Sequence, residues 1–127
     1  MNGIELLIDS NILIYLLNGY YSDNKARHIA ELVNRKGSIS AITRVEILGW
    51  HGHSPSSLKN TKQVLGKLPM HGLSSQVLEE AIRLRQQKAV KLGDALIGAT
   101  AIVHDLHLLT ENAKDFSHSS IKLYTLS

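Results

Sequence analysis

Short apolar runs alternate with longer segments of helical period along the 127 residues of this chain, and few architectures accommodate that rhythm. Each run is short enough to be a buried strand, and each longer segment can carry the chain back to begin the next strand in parallel. The pattern predicts an α/β fold: three layers, α/β/α, around a central, mostly parallel sheet of four to five strands. The first run, IELLI at residues 4–8, reads as a buried strand, and residues 9–17 as a short helix starting where it ends. From Ser22 a helix turns Ala26, Ile29, Ala30 and Val33 along one stripe and stops at Gly37, a suitable residue for a left-handed C-terminus. SIS at 38–40 is a short second strand, followed by a helix over 41–50. Ser54 and Pro55 fit the N-cap and first position of a helix that ends by Pro69. A helix capped at Ser74 or Ser75 then turns Val77, Leu78, Ala81 and Ile82 inward and Arg83, Arg85 and Lys88 outward, with Glu79 placed to pair with Arg83. LHLLT and IKLYT read as the last two strands, with ENAKDFSHSS between them.

The length suits one core and one domain, residues 1–127. With 43% hydrophobic and 20% charged residues the chain is globular in composition. It has no Cys, so disulfides and thiolate zinc sites are unavailable. MNGIELLID lacks the basic start and small-residue cleavage site of a signal peptide, and ILIYLL is far shorter than the roughly 20 residues that cross a bilayer. The expectation is a soluble, cytoplasmic protein without membrane association. A net charge of +3 gives a mild pull toward polyanions.

Four acids, Asp9, Glu46, Asp94 and Asp115, fall at strand ends or helix starts and not in the middle of solvated faces. In an open α/β sheet the crevice lies beyond the carboxyl ends of the strands, where distant segments meet. Glu46 has Ile42, Thr43, Gly49 and Trp50 as helical neighbours, an apolar surround that calls for a partner. Converging carboxylates at ~4 Å would repel by about 4 kcal/mol per pair at an effective dielectric of 20, so a divalent cation or shared protons must compensate. Hard oxygen donors without thiolates favour Mg²⁺ or Mn²⁺, ions suited to phosphodiester hydrolysis. Each acid also has a plainer reading: Asp94 before ALIGATA as a helix-start acid, Asp9 as a cap, Asp115 as a loop residue, Glu46 paired with Arg44 or Lys91.

Other residues invite chemistry less directly. His51 and His53, and His104 and His107, have suggestive spacing but no third convergent ligand, and read as surface imidazoles. Trp50, Tyr20 and Tyr21 suit packing more readily than base stacking. Arg83, Arg85, Lys88 and Lys91 form a basic run leading to Asp94, either a solvated face or a phosphate-steering one.

Three segments together resemble the PIN domain family, specifically its short toxin branch, the VapC-like ribonucleases of toxin-antitoxin pairs. LLIDSNILIYLL resembles the opening strand with its first metal-site Asp, here Asp9; SAITRVEILGW the helix with the catalytic-site Glu, here Glu46; KLGDALIGATAIVHDLHLLTENAKDF the C-terminal signature with Asp94, Asn112 and Asp115. The resemblance covers essentially the whole chain. It implies a Mg²⁺- or Mn²⁺-dependent endoribonuclease, usually a homodimer, inhibited by a small VapB-like antitoxin that blocks the acidic pocket. Asp9, Glu46 and Asp94 would surround the metal, Asp115 would be the fourth acid, and Thr110, Asn112, Ser10 and Asn11 would support them. Arg44, Lys91 and Arg85 are candidate RNA contacts. Three positions depart from the pattern: Gly93 stands where Pro is frequent, Asp105 where Gly commonly ends the helix, and Glu111, where a basic residue is frequent, puts a negative charge near the expected RNA path. Two other classes compete with the nuclease reading. One is a non-catalytic PIN-like module that binds RNA or a partner, suggested by Glu111 and Gly93. The other is a phosphotransfer domain using Asp9, which would want a second Asp where this chain has Asn11.

Overall fold

The computed structural model describes residues 3–117 and 120–126. Its centre is a strand of three large aliphatic residues, β1 (Leu6–Ile8), all fully buried. Side chains alternate across a strand, so β1 feeds two cores at once. Leu6 and Ile8 pack with Ile12 and Leu13 of α1 (Ser10–Leu17) and Ile29 and Val33 of α2 (Asp23–Lys36). Leu7 packs on the opposite face with Ile97 and Ala101 of α6 (Leu92–Val103). Each such buried aliphatic contributes about 1.5–3 kcal/mol relative to exposure. The three layers expected from the sequence follow from this division.

The other strands are β2 (Gly37–Ser40), β3 (Met70–His71) and β4 (His107–Leu109). They form one parallel four-stranded sheet in the order β3-β2-β1-β4. The chain steps outward from β1 through β2 to β3, then returns to the other side of β1. The crevice therefore opens beyond the carboxyl ends of β1 and its two neighbours. Helices α3 (Ala41–Leu48), α4 (Pro55–Gly66) and α5 (Ser75–Gln87) fill the crossovers. Their caps are local: Ser40 accepts from the Ile42 amide, Ser54 and Ser57 form a reciprocal capping box ahead of Pro55, and Ser74 accepts from the Val77 amide.

Several sequence expectations change in detail. β1 begins at Leu6, with Ile4 packed against the first core. Gly37 is not left-handed: its φ is −85° and the chain passes straight into β2. Glycine is needed there for space, because a Cβ would lie 2.6 Å from the Val33 carbonyl oxygen. β3 lies between Pro69 and Ser74, a stretch to which the sequence pattern assigns no element. IKLYT forms only a bridge between Leu123 and Leu108, secured by the Leu108 amide to the Lys122 carbonyl and the Tyr124 amide to the Leu108 carbonyl. Residues 118 and 119 of the preceding loop lie outside the described residues. On α5 the inward stripe is Val77, Ala81 and Leu84, while Leu78 and Ile82 face solvent. Arg83 pairs with Glu80 one turn away and not with Glu79. Asp105 does adopt the left-handed conformation, at φ 55°, and its carboxylate accepts from Lys122 at 2.6 Å.

The small residues of α6 serve two surfaces. Ala101 joins the sheet-facing core, whereas Ala95 and Ala99 lie against α5. Gly98 admits the ends of Ile121 and Leu84, whose terminal carbons would stand 2.9 and 3.6 Å from an added Cβ. The helix bearing Asp94 is thus held from both sides.

Candidate active site

Asp9 follows β1 immediately and is nearly buried, at 5% exposure. Its amide still belongs to the sheet, donating to the Leu109 carbonyl at 2.9 Å. Its carboxylate has two duties. One oxygen caps α1 by accepting from the Ser10 amide at 2.8 Å, and the other accepts from the Thr110 hydroxyl at 2.6 Å. Burial raises the carboxyl above its ordinary range, Thr110 and Ser10 pull it down, and the charges of Asp94 and Glu46 push it up again. The capping reading of Asp9 is therefore correct.

Glu46 lies on α3, which starts where β2 ends. Glu46 is not buried: the residue is exposed, and it pairs with neither Arg44 nor Lys91 among the described residues. Its partner is Ser10, whose hydroxyl lies 2.6 Å from Glu46 Oε1 and 3.1 Å from the Thr43 hydroxyl. Ser10 thereby joins the turn after β1 to the helix after β2. Gly93 gives the carboxylate room, since a Cβ there would stand 3.0 Å from Glu46 Oε2.

Asp94 sits in the first turn of α6, half-buried, with no side-chain cap ahead of it. Burial raises its carboxyl, Asp115 and Glu46 raise it further, and Lys91 opposes them. Asp115 is exposed on a 3-10 turn (Ala113–Phe116) and shares a small cleft with Asp94 between Leu84, Lys88 and Ile121. Electrostatically the acids form a chain: Asp9 senses Glu46 and Asp94, and Asp94 senses Glu46 and Asp115. They arrive from four separate segments. No three His, Asp or Glu side chains form a ready metal cage among the described residues. The donor chemistry nevertheless suits Mg²⁺ or Mn²⁺, because every ligand the crevice offers is a carboxylate or hydroxyl oxygen.

The loop after β4 completes the wall. Thr110 donates to Asp9 and accepts from the Asn112 amide at 3.0 Å, and Asn11 accepts from the Glu111 amide at 3.3 Å. Asn112 therefore supports through its backbone. The Glu111 carboxylate, still partly exposed, accepts from the Tyr21 hydroxyl at 2.5 Å, with the Lys25 ammonium 4.0 Å away. Sequence reasoning missed Tyr21 and Lys25 as partners of this loop; about 90 residues separate them from it and no local pattern links them.

Of the candidate RNA contacts, Lys91 is exposed beside Asp94 and Arg44 is half-buried on the Glu46 helix. Arg85 is partly committed, donating from Nε to the Val90 carbonyl at 3.2 Å. The imidazoles do not gather into a site. Both ring nitrogens of His53 are engaged, by Ser57 and the Ile47 carbonyl, and His104 lies against the ring of His71. Trp50 is exposed beside His53, Tyr20 is exposed, and Tyr21 is packed into the first core.

Glu46 also borders a groove of about 520 Å³, lined by Ile14, Leu17, Ile47, Trp50 and Thr61 among others. Among the described residues no helix is long and apolar enough to cross a membrane.

Comparison with known proteins agrees with this fold. A toxin-antitoxin complex from Klebsiella pneumoniae contains a chain 31% identical to this one, with TM-score 0.78, covering 96% of this chain and 100% of that one. The structure of VapBC2 from Rickettsia felis bound to a DNA fragment from its promoter matches at 21% identity and TM-score 0.79, over 98% of this chain and 100% of that one. DNA-bound VapBC from Salmonella typhimurium matches at 18% identity and TM-score 0.78, over 95% and 97%. No curated protein matches significantly. The PIN domain family matches residues 6–121, a span that includes all four acids and every strand of the sheet, and the chain belongs to that family.

Proposed function

We propose that the chain is a Mg²⁺- or Mn²⁺-dependent endoribonuclease and the toxin of a toxin-antitoxin pair. The observation that carries this reading is that four separate segments bring their acids to one crevice: Ser10, next to Asp9, bonds Glu46, Gly93, next to Asp94, lies against the Glu46 carboxylate, and Asp94 shares a cleft with Asp115. Asp9, Glu46 and Asp94 would hold the ion, with Asp115 as the fourth acid. When bound, such an ion activates water and neutralises charge on the phosphodiester. The protein's own contribution is orientation: Thr110 fixes the Asp9 carboxylate, Ser10 fixes Glu46, and the closely packed α6 sets Asp94 opposite them. Lys91 and Arg44 supply positive charge at the rim for the RNA backbone.

The partners follow from the same features. The similar Klebsiella chain comes from a toxin-antitoxin complex, which supports a small VapB-like antitoxin here. The groove beside Glu46 offers it a seat that would also cover the acids. Exposed Leu78 and Ile82 on α5 support a homodimer, and a cytoplasmic location follows from the RNA substrate. The departures that suggested a non-catalytic module are accommodated locally: Gly93 makes room for Glu46, and Glu111 is tied to Tyr21.

The test is cleavage of a structured RNA pool by the purified protein with Mg²⁺, Mn²⁺ or EDTA. Cutting in either metal, its absence in EDTA, and its loss in a folded Asp94→Asn variant are expected. A folded wild type that leaves every RNA intact in both metals would refute the reading.

A further inference from the structure

We propose that Tyr21 and Glu111 form a clamp that positions the loop after β4, so that the Thr110 hydroxyl stays on Asp9. The inference rests on the nuclease reading for its catalytic meaning, but the clamp itself is a matter of this chain's contacts. Tyr21 follows α1, and its ring is buried in the first core, edge-on to Tyr15 and Tyr20 at centroid distances of 6.1 and 5.7 Å. A ring held this way presents its hydroxyl at a fixed point. The hydroxyl donates to Glu111 at 2.5 Å, a length typical of a charge-assisted O–H···O⁻ bond. Lys25 adds a second hold, 4.0 Å from the carboxylate and 5.1 Å over the Tyr21 ring. Burial first, and Glu111 next, raise the Tyr21 phenol well above its ordinary value, so it stays a donor at neutral pH.

From Glu111 the connection to the acids is short. Its amide is fixed by Asn11 of α1, and the next amide, from Asn112, donates to the Thr110 hydroxyl oxygen. That contact leaves the hydroxyl proton free to point at Asp9, which lies 2.6 Å away. The negative charge that the sequence seemed to add to the RNA path is instead an anchor, drawn aside and met by a phenol and an ammonium. Tyr21 and Glu111 are positioning residues, acting on Asp9 through Thr110.

The test compares wild type with Tyr21→Phe, Glu111→Gln and the double variant. The readouts are amide hydrogen exchange at Glu111 and Asn112, the ¹³C shift of the Asp9 carboxyl, and RNA cleavage kinetics in Mn²⁺. Tyr21→Phe keeps the packed ring, and should speed exchange at both amides about tenfold, move the Asp9 shift, and lower kcat several-fold with KM unchanged. Glu111→Gln keeps an acceptor but loses the charge and the hold from Lys25, and should fall between wild type and Tyr21→Phe. The double variant should resemble Tyr21→Phe. Unchanged exchange and Asp9 shift in Tyr21→Phe would overturn the clamp, and so would a change confined to KM, which would make Tyr21 or Glu111 an RNA contact. If the wild type cuts no RNA, the nuclease reading fails separately, and the exchange and shift measurements still decide the clamp.

Discussion

Asp9 and Asp94 present the same carboxylate to the same crevice, yet the chain handles them in opposite ways. Asp9 ends a buried strand, caps the next helix and accepts a hydroxyl from the loop after the neighbouring strand β4. Asp94 starts a helix, half-exposed, with repulsive neighbours offset only by Lys91. One acid is part of what folds the protein, and the other is carried by the fold at some expense. The two sides of the crevice therefore differ in character: the Asp9 side is pre-set by hydrogen bonds, and the Asp94 side retains unspent negative charge.

Alanine at the two positions should separate these roles most sharply. Asp9→Ala removes a helix cap, worth about 1 kcal/mol, and leaves the Thr110 hydroxyl without its acceptor, about 1–3 kcal/mol more. Urea unfolding should show a total loss of about 2–4 kcal/mol, whereas Asp94→Ala should cost little. Equal losses would erase the distinction. Thr110→Val comes next, since it deletes the 2.6 Å bond to Asp9 without touching the cap. A loss of about 1–2 kcal/mol is expected, with Mn²⁺ binding weakened about 10–100-fold, as for other groups that orient a metal ligand.

A pH series sharpens the comparison from the other side. A carboxyl raised on folding binds its proton more tightly in the native state. Its contribution is therefore most favourable below the unfolded value of 3.8 and is lost as pH rises through the higher folded value. Asp94→Asn escapes that loss, so its Tm should exceed that of wild type at pH 7 without divalent metal, and the gain should vanish below about pH 3.8. A Tm below wild type at pH 7 would mean that Asp94 is structural after all. The smallest effect is expected at Gly93, where Ala improves helix propensity by about 0.5–1 kcal/mol and asks Glu46 to yield by a few tenths of an ångström. Thermal unfolding should show a slight gain while RNA cleavage falls, dissociating stability from site geometry.

Much of this was visible in the sequence wherever one residue type has one strong preference. β1, β2 and β4 are short apolar or small-residue runs flanked by helical periods, and Ser54 with Pro55 can do little except open a helix. β3 escaped notice because two residues, one of them a half-exposed Met, make no periodic signal; its pairing is decided by β2. Leu78 and Ile82 were assigned inward because apolarity alone does not say which of two neighbouring stripes meets α6, and the small residues Ala95 and Ala99 favour Val77, Ala81 and Leu84. The four acids were legible as strand-end and helix-start residues. The exposure of Glu46 was not, because its partner Ser10 comes from another segment. The Tyr21–Glu111 bond spans 90 positions and leaves no trace in local composition.

A strand of three residues also limits how this protein can change. In β1 one residue is a rise of about 3.3 Å and a reversal of face. A single insertion between Leu6 and Asp9 would exchange the two cores and carry the acid away from Thr110 and Glu46 together. No compensating slack exists, because every residue of β1 is fully buried. The exposed turn over residues 49–52, ahead of the tethered His53 and the Ser54 cap, has such slack and can lengthen without disturbing either core. Variation in length belongs to the helical connections, while the stretch leading into Asp9 can vary only by substitution.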